Sequence, residues 1–545
     1  MKISTIDLVV ILVYLVGIVA LGLYTTKKSR KTSDGYFLAG RGLNWMMIGA
    51  ALFASNISTI HLVGLAASGY NEGLVWGNFE WLACVSLIML GLFFAPFYFS
   101  TRISTLPEFL EKRYGPESRT FLAFIAIMGA LFVHIGMSLY AGAVVFEEFF
   151  GINIYVSIIV ISIVTGIYTI LGGLKAVVVT EAVQTVVLLV GAVVLVGAVI
   201  FALGDTGIHS WEELKASVKP GQLSMLHSKE SLTALGESGF DSGLTWYACL
   251  LGYPILGLWY WCSDQTIVQR VLGAKTRSDA QGGAIFAGFL KMLTPFLLIV
   301  PGVAAYVLYR NQIGENANMT YPTLINQLLP VGIKGLMTAA LLAALMSTIA
   351  AALNSIATLV AFDIVKRVKP ETDDKKLIRI GQLSAVVVMI IAILWSTQGG
   401  KFSSIFEAIN KIASALAPPV ATVLLYGVFS KRGTRKASIY TLTIGLLLGV
   451  TCFCFDFTPV SGKMYLTHGL GIPFMMQAWW LFCICTVIYF TVSMFTPKPD
   501  AQAIEECVWK NPMAVITGKF KGFSDIRLWA GLLLFTLIIS YFIFK

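Results

Sequence analysis

Runs of about twenty predominantly apolar residues follow one another along almost the whole chain. Each run is long enough to cross the hydrocarbon core of a bilayer as an α-helix. Since 57% of the 545 residues are hydrophobic and only 12% are charged, the chain could not coat a water-soluble globule of its size. The sequence therefore predicts an all-α polytopic membrane protein with about fourteen transmembrane helices, at residues 5–24, 46–69, 74–99, 118–148, 152–172, 178–203, 245–266, 282–308, 331–364, 377–397, 403–429, 436–455, 475–496 and 526–544.

The positive charge of the chain indicates its orientation in a membrane rather than a nucleic-acid partner. The net charge is +10, but the Lys and Arg residues cluster in short loops after the odd-numbered helices. By the positive-inside rule these loops are cytoplasmic, which places both termini outside. We expect an integral protein of the plasma (inner) membrane whose partners are the lipid bilayer and a small-molecule solute, with no nucleic acid and no obligatory protein partner.

Two of the apolar segments are interrupted in their middle. Residues 49–69 carry Ser55, Asn56 and His61 at the centre of the span, where an unpaired polar group costs roughly 2–7 kcal/mol. Residues 250–265 contain Gly252, Pro254 and Gly257 and then turn polar. These segments lie five helices apart. Interrupted segments at matching positions of two halves predict inverted five-helix repeats, each with a broken first helix and a binding site near the bilayer midplane.

This pattern divides the chain into five parts. Residues 1–45 form an extra N-terminal helix and a cytoplasmic loop, 46–203 the first repeat, 204–244 an extracellular loop, 245–430 the second repeat, and 431–545 peripheral C-terminal helices. The loop at 204–244 is predicted to be a lid or a set of short surface helices. It is the longest loop, and it is too short for a soluble catalytic domain.

The sequence contains no motif that indicates an enzyme. GxSxG, HExxH and the P-loop pattern are all missing, and the eight Cys include no CxxC pair. We therefore expect neither catalysis nor an organic cofactor. A membrane sensor built on a carrier fold stays open as an alternative from a different class, although no signalling domain is appended.

Several stretches, taken in order, resemble the sodium/solute symporter family and, within it, the sodium/glucose cotransporter branch. The resemblance implies an amino-acid-transporter-like core of inverted repeats and the coupling ion Na⁺. The matching stretches are DGYFLAGR (34–41), ASNISTIHLVGLAASGY (54–70), FEW (79–81), TLPEFLEKRYG (105–115), YTILGGLKAVVVTEAVQT (168–185), LWYWCSDQTIVQRVLGAK (258–275), FLKMLTPFLLIVPGVAAY (289–306) and AALMSTIAAALNS (343–355).

The resemblance implies a sodium site made only of neutral oxygens, as suits a hard cation. The implied ligands are the carbonyls of Ala54, Ile57 and Ala344 and the hydroxyls of Ser347 and Thr348. Without the resemblance, these hydroxyls would be expected to bond back to their own helix, as is common for transmembrane Ser and Thr.

A sugar site needs polar groups from several helices and an aromatic face. By resemblance, Phe79, Phe406 and Tyr260 form the gates. Glu80 and Lys291 also stand out on physical grounds, because a charge at the bilayer centre costs about 2.5–3.5 kcal/mol and intramembrane ionisable residues usually face a cavity. Core hydrogen bonding is a rival role for His61, and bundle packing for the aromatic residues. The full set of implied solute ligands is Asn56, His61, Glu80, Tyr260, Trp261, Lys291 and Asn410.

Departures from the family pattern leave the solute and the stoichiometry open. Asn410 stands where glucose carriers have Gln, and Gly257 where relatives have a polar side chain, so the pocket is expected to be roomier. The solute is then glucose- or galactose-like, or else myo-inositol, another polyol or a different small solute. Ala350 and Ala351 occupy the expected hydroxyl positions of a second sodium site. Glu181 replaces the usual Asp and is expected at an exposed cytoplasmic end, either as an ion-release carboxylate or as an ordinary interfacial one. We predict one Na⁺ per solute.

Overall fold

The computed structural model describes residues 4–26, 31–397 and 405–545, and this part of the chain is almost entirely helical. Its β-structure is a single isolated bridge between Leu43 and Ala274. Eleven helices in the described ranges are long and apolar enough to cross a membrane, and one bent pair makes a twelfth span. The prediction of an all-α polytopic membrane protein is confirmed.

The main helices are numbered here in chain order. The first half contains α1 (Thr5–Thr25), α2 (Trp45–Asn56), α3 (Thr59–Asn71), α4 (Gly73–Thr101), α5 (Pro116–Glu147) and α6 (Ile154–Asp205). The second half contains α7 (Trp246–Ser263), α8 (Gln265–Leu272), α9 (Arg277–Ile313), α10 (Ile333–Val368), α11 (Asp374–Ser396), α12 (Ile405–Phe429), α13 (Arg435–Asp456), α14 (Phe474–Met494) and α15 (Ile526–Ile543).

Helix α6 contains two of the predicted spans. A straight helix of its 52 residues would be roughly 78 Å long, far more than the ~30 Å hydrocarbon core. The backbone leaves helical geometry at Gly173, with φ 67° and ψ −168°. Only glycine fits there, because a Cβ would lie 2.4 Å from the Tyr36 carbonyl oxygen. The eleven or twelve candidate spans of the described residues are thus fewer than the predicted fourteen, because α6 contains two of the predicted spans and α7–α8 is not among the candidates.

The first interrupted segment is broken where the sequence turns polar. Helices α2 and α3 meet at an angle of 61°, and the linking Ile57 is extended. Ser58 caps α3: its hydroxyl lies 3.0 Å from His61 Nδ1, which also accepts the Ser58 backbone N–H at 3.3 Å. Short polar side chains at 55–59 thus offer the backbone an alternative to continuing the helix.

The second interrupted segment breaks at a different residue from the ones expected. Helix α7 runs unbroken through Gly252, Pro254 and Gly257, and the chain becomes extended at Asp264, with φ −70° and ψ 119°. Gly252 allows close packing instead, since a Cβ there would lie 2.2 Å from the Met475 carbonyl oxygen. The break comes at Asp264 because its carboxylate caps α8, accepting the Thr266 N–H at 2.8 Å.

Helix α10 is the most enclosed span of the described chain, with 94% of its apolar window buried inside the protein. Both broken segments and α6 pack around it. The 204–244 segment forms three short helices, at Trp211–Ser217, Lys229–Ala234 and Glu237–Ser242. Helix α10 therefore brings the sodium-site candidates of the second repeat against the break between α2 and α3.

Candidate functional site

A cavity lies between the two helix breaks and is lined by side chains from both repeats. About 130 Å³ of it is available to the centres of water molecules, whereas one water needs roughly 10–15 Å³, so it has room for a small solute. Residues predicted separately from the sequence meet on its wall. These are Asn56, His61, Phe79, Glu80, Tyr260, Trp261, Lys291, Thr348 and Asn410. The side chain of Phe406, the other predicted gate residue, lies outside the described residues.

The strongest electrostatic feature of the wall is an ion pair between α4 and α9. Lys291 Nζ lies 2.5 Å from Glu80 Oε2, and the two side chains are 1% and 3% exposed. The Lys291 ammonium also lies 5.8 Å from the centre of the Trp261 ring, within cation–π range. A paired carboxylate and ammonium keep spare lone pairs and N–H groups, which can accept from and donate to hydroxyl groups of a ligand.

The broken first helix contributes two polar side chains. Asn56, the last residue of α2, has a buried Oδ1 for which the described residues supply no hydrogen-bond partner. A buried acceptor without a partner costs about 1–3 kcal/mol, so a ligand hydroxyl at this position would be stabilising. His61, one turn into α3, is oriented by its Nδ1 contacts with Ser58 and presents its ring to the same cavity.

Aromatic rings form the apolar faces of the site. The Trp261 and Tyr260 rings are 5.1 Å apart and nearly perpendicular. Phe79 stacks on Trp76 at 5.6 Å and meets the edge of Tyr253, also at 5.6 Å. The C–H faces of a sugar or polyol can lie against such rings.

One expectation about the size of the cavity was wrong. Gly257 does lie on the wall, but the space that a side chain would fill there already holds Ser86, whose Oγ would be 2.1 Å from an added Cβ. The cavity is therefore not enlarged at Gly257, because α4 packs into that space. Asn410 lines the cavity as expected.

Four of the five proposed sodium ligands meet beside the cavity, where α10 crosses the end of α2. The Ser347 hydroxyl is 2.8 Å from the Ala54 carbonyl oxygen and 2.9 Å from that of Ala344. The Thr348 hydroxyl donates to the carbonyls of Ser55, at 3.2 Å, and Ala344, at 3.3 Å. Each hydroxyl therefore bonds back to its own helix and also reaches the broken helix. Neutral oxygens alone suit a monovalent hard cation.

Ile57, the fifth proposed ligand, is the extended residue at the break itself. Its backbone is therefore outside regular helix, as a carbonyl ligand at this position requires. In the described part of the chain no group of three or more His, Cys, Asp or Glu side chains could hold a metal ion.

The sequence predicted that Glu181 lies at an exposed cytoplasmic end, but in the structure this residue is buried. Its side chain is 0% exposed and pairs with Arg270 of α8 through both carboxylate oxygens, at 2.5 Å (Oε1) and 3.1 Å (Oε2). Ser55 also donates to Oε1, at 2.9 Å. This partner was not recognisable from the sequence, because Arg270 belongs to a basic cluster that indicated only membrane orientation.

A second pair, of which His134 lines the cavity, was not predicted from the sequence. His134 Nε2 lies 2.9 Å from Asp264 Oδ2, and it links α5 to the break between α7 and α8. The His134 ring centre is 6.1 Å from that of Tyr260. The signal was present, because the rule that singled out Glu80 and Lys291, an ionisable residue within a span, applies equally to His134.

Comparisons with known proteins agree with this geometry. Residues 36–445 match the model of the family described as "SSF: Sodium:solute symporter family". Sodium/glucose cotransporter 1 of Oryctolagus cuniculus is 32% identical over 535 residues, covering 92% of this chain and 80% of the relative. Sodium/myo-inositol cotransporter 2 of Sus scrofa is 36% identical over 534 residues, covering 92% and 78%.

Solved structures support the same architecture. A Na⁺-coupled sialic acid symporter in a substrate-bound outward-open state superimposes with a TM-score of 0.78 at 21% identity, over 92% of this chain and all of the other. A nucleobase-cation-symport-1 family transporter in a closed conformation gives 0.55 at 15% identity, over 88% and 98%. These structures share the fold of inverted repeats with broken helices. The matched length and the identity to curated relatives decide the relationship: this chain belongs to the sodium:solute symporter family, whose members are Na⁺-coupled transporters and not enzymes.

Proposed function

We propose that this symporter uses the Na⁺ gradient to take up a sugar of the glucose or galactose type, with one Na⁺ per solute. The observation that carries the proposal is the composition of one cavity wall. The Glu80–Lys291 pair, the Trp261 ring and the Asn56 Oδ1, which has no hydrogen-bond partner among the described residues, combine donors, acceptors and an apolar face. A polyhydroxy solute needs this combination, whereas a purely apolar or a strongly anionic solute does not.

The residues suggest how the two substrates depend on each other. Na⁺ held by Ser347, Thr348 and the carbonyls at the end of α2 would fix α10 against the broken helix. Since Asn56 is the last residue of α2, the same step orders one wall of the solute cavity. Solute binding then closes Phe79 over the outer side of the cavity. Tyr260 next moves away from the inner side, so that both substrates leave to the inside by alternating access.

Myo-inositol or another polyol is the second candidate. It is favoured by the myo-inositol cotransporters among the relatives, which are as similar to this chain as the glucose cotransporters are. The shorter amide of Asn410 also leaves space for a ligand group that Gln would fill. A ring bearing a hydroxyl on every carbon could use that space.

The deciding experiment is uptake of labelled solutes into proteoliposomes with an imposed inward Na⁺ gradient. We expect D-glucose or D-galactose uptake that stops when K⁺ replaces Na⁺. Uptake of myo-inositol in place of the hexoses would establish the second candidate. If no sugar or polyol is taken up under a Na⁺ gradient, the proposal is wrong, and a sensor on a carrier fold or a carrier for another solute takes its place.

We further propose that the protein resides in the plasma membrane with both termini outside. The lid segment 204–244 and the C-terminus lie together, because the Met225 N–H donates to the Phe544 carbonyl at 2.7 Å. The N-terminal Asp7 accepts from the N–H groups of Gly332, the residue before α10, and Gly335, in the first turn of α10. Protease protection of tags at the two ends in right-side-out vesicles tests the orientation.

A further inference from the structure

The lid segment is tied to the cavity helices by one buried side chain. Gln222, which is 0% exposed, donates from Nε2 to the carbonyls of Gly69 (3.2 Å) and Tyr70 (2.9 Å) in α3. Its own carbonyl accepts the Leu74 N–H of α4 at 2.9 Å. The segment at 222–225 therefore bridges the last turn of α3 and the first turn of α4.

Three residues further on, the same segment meets Asn78. Asn78 Nδ2 donates to the carbonyls of Val75 and Met225, at 2.7 Å each. Its Oδ1 accepts the hydroxyl of Tyr541, in the last turn of α15, also at 2.7 Å. Asn78 is 1% exposed, so its side chain is a buried junction between α4, the lid and the C-terminal helix.

The end of α15 packs on this junction with its aromatic side chains. The Tyr541 ring meets the edge of Trp81 at 5.3 Å. The Phe544 ring lies 5.3 Å from Trp211 of the lid and 5.8 Å from Trp81. Helix α15 is otherwise a peripheral helix with only 17% of its apolar window buried.

The junction lies directly beside the solute site. Asn78 immediately precedes Phe79 and Glu80 in α4, both of which line the cavity. Because a helix moves as a unit over one turn, a shift of Asn78 shifts these side chains too. We propose that Tyr541 is a positioning residue for solute binding: through Asn78 and the lid, the end of α15 holds Phe79 and Glu80 in place over the cavity. This inference rests on the solute-binding role proposed for these two residues.

The test is Tyr541→Phe, measured by Na⁺- and solute-dependent currents at matched surface amounts. The ring packing on Trp81 is kept, and only the hydrogen bond to Asn78 is lost. We expect the solute concentration for half-maximal current to rise about two- to tenfold, the factor that corresponds to one hydrogen bond of ordinary net strength. The maximal current and the Na⁺ dependence of charge movement without solute stay unchanged. Phe542→Leu is the matched control, because that neighbour is 76% exposed and is expected to leave all three quantities unchanged.

Two comparisons make the result decisive. Asn78→Ala with Tyr541→Phe should raise the half-maximal solute concentration no further than Asn78→Ala alone, since both remove the same link. The inference would be overturned if Tyr541→Phe left the half-maximal solute concentration unchanged, or if it lowered only the amount of protein at the surface. It would also be overturned if the increases in half-maximal solute concentration caused by the two single changes multiplied in the double variant. A wild-type protein that gives no current with D-glucose contradicts the proposed sugar instead, and the same variants are then measured with myo-inositol.

Discussion

Lys291 Nζ and Glu80 Oε2 are 2.5 Å apart in a place where neither side chain has appreciable contact with solvent. Removing two charges from water costs several kcal/mol per ion, and a well-packed apolar pair is often at least as stable. Such a pair is therefore poorly explained by stability alone. Its position on the wall of the cavity, next to Trp261, fits the solute-binding role proposed for it, because the pair offers both donors and acceptors to hydroxyl groups.

The first prediction is that Glu80→Ala and Lys291→Ala each abolish sugar uptake while Na⁺ binding stays detectable. Each change also leaves one buried charge without its partner, which we expect to destabilise the protein by about 3–5 kcal/mol. The double variant Glu80→Gln with Lys291→Gln should recover much of the stability but no uptake. Thermal unfolding in detergent, with and without Na⁺, and proteoliposome uptake measure these quantities.

Lys510→Ala is the matched control for this prediction. Lys510 pairs with Glu505 at 2.9 Å, but both side chains are at least 70% exposed, and exposed pairs contribute little. The control should leave stability and uptake unchanged. Normal sugar uptake by either single variant would show that the pocket assignment on α4 and α9 is wrong.

The second prediction concerns the sodium site. In Ser347→Ala the hydroxyl that lies between the carbonyls of Ala54 and Ala344 is lost, and the remaining oxygens cannot replace it. We expect the Na⁺ concentration for half-maximal uptake to rise at least tenfold, with a smaller change in the solute dependence at saturating Na⁺. Ser384→Ala is the control, because among the described residues the Ser384 hydroxyl bonds only to the Gly381 carbonyl of its own helix. Equal Na⁺ requirements in the two variants would favour the view that Ser347 merely bonds back to its own helix.

The third prediction tests the buried pair between Glu181 and Arg270. Arg270→Gln leaves a fully buried carboxylate without a counter-charge, so we expect a loss of roughly 3–5 kcal/mol and little folded protein. Glu181→Gln with Arg270→Gln removes both charges and should restore folding. Size-exclusion yield and thermal unfolding measure the difference. If Arg270→Gln alone is as stable as the wild type, the pair does not exist in the protein as purified.

The sequence was sufficient to predict the architecture because the dominant signals are local. Apolar runs set the helices, and polar residues such as Ser58 mark a break where they can cap the next helix. The second break was misplaced because Pro254 and Gly252 are common helix breakers, yet α7 continues through them. Whether a helix tolerates such a residue depends on the backbone packed against it, and the sequence does not contain that information locally.

The candidate site divides in the same way. Glu80 and Lys291 were recognisable individually, since a charge inside a span is costly wherever it pairs. The pairing of Glu181 with Arg270, 89 positions apart, depends on how the two repeats pack. The hydrogen bond from Tyr541 to Asn78 spans 463 positions and links a peripheral helix to the core. Contacts of this range follow from tertiary structure alone.

The fourth prediction is that Asn410→Gln shifts selectivity among sugars and polyols rather than inactivating the carrier. Asn410 lies on the cavity wall, and one added methylene moves its amide further into the space available to the solute. We expect the ratio of hexose uptake to myo-inositol uptake to change by no more than about 200-fold, the upper end of the range for one methylene in a pocket. Competition between labelled solutes at fixed Na⁺ measures the ratio. Complete loss of transport for every solute would instead assign Asn410 a role in the conformational change.

The last prediction is that one Na⁺ moves with each solute. By resemblance to family members that carry two sodium ions, a second ion would be held by hydroxyls one turn beyond Ser347 and Thr348, but Ala350 and Ala351 are buried there and offer none. The nearby carboxylate, Glu181, is already paired with Arg270 and accepts a hydrogen bond from Ser55, so Na⁺ would have to displace a guanidinium group.

The stoichiometry sets the gradient that the carrier can sustain. At about 100 mV and a tenfold Na⁺ gradient, one ion supplies roughly 3.7 kcal/mol, enough for a solute gradient of about 500-fold, and a second ion would square that limit. Reversal potentials in proteoliposomes, with sugar and Na⁺ gradients varied at set voltages, distinguish the two cases. We expect a charge-to-solute ratio of one. A ratio near two would mean that Glu181 leaves Arg270 during the cycle and binds an ion. In that case the double variant Glu181→Gln with Arg270→Gln, which is expected to fold, should return the ratio to one.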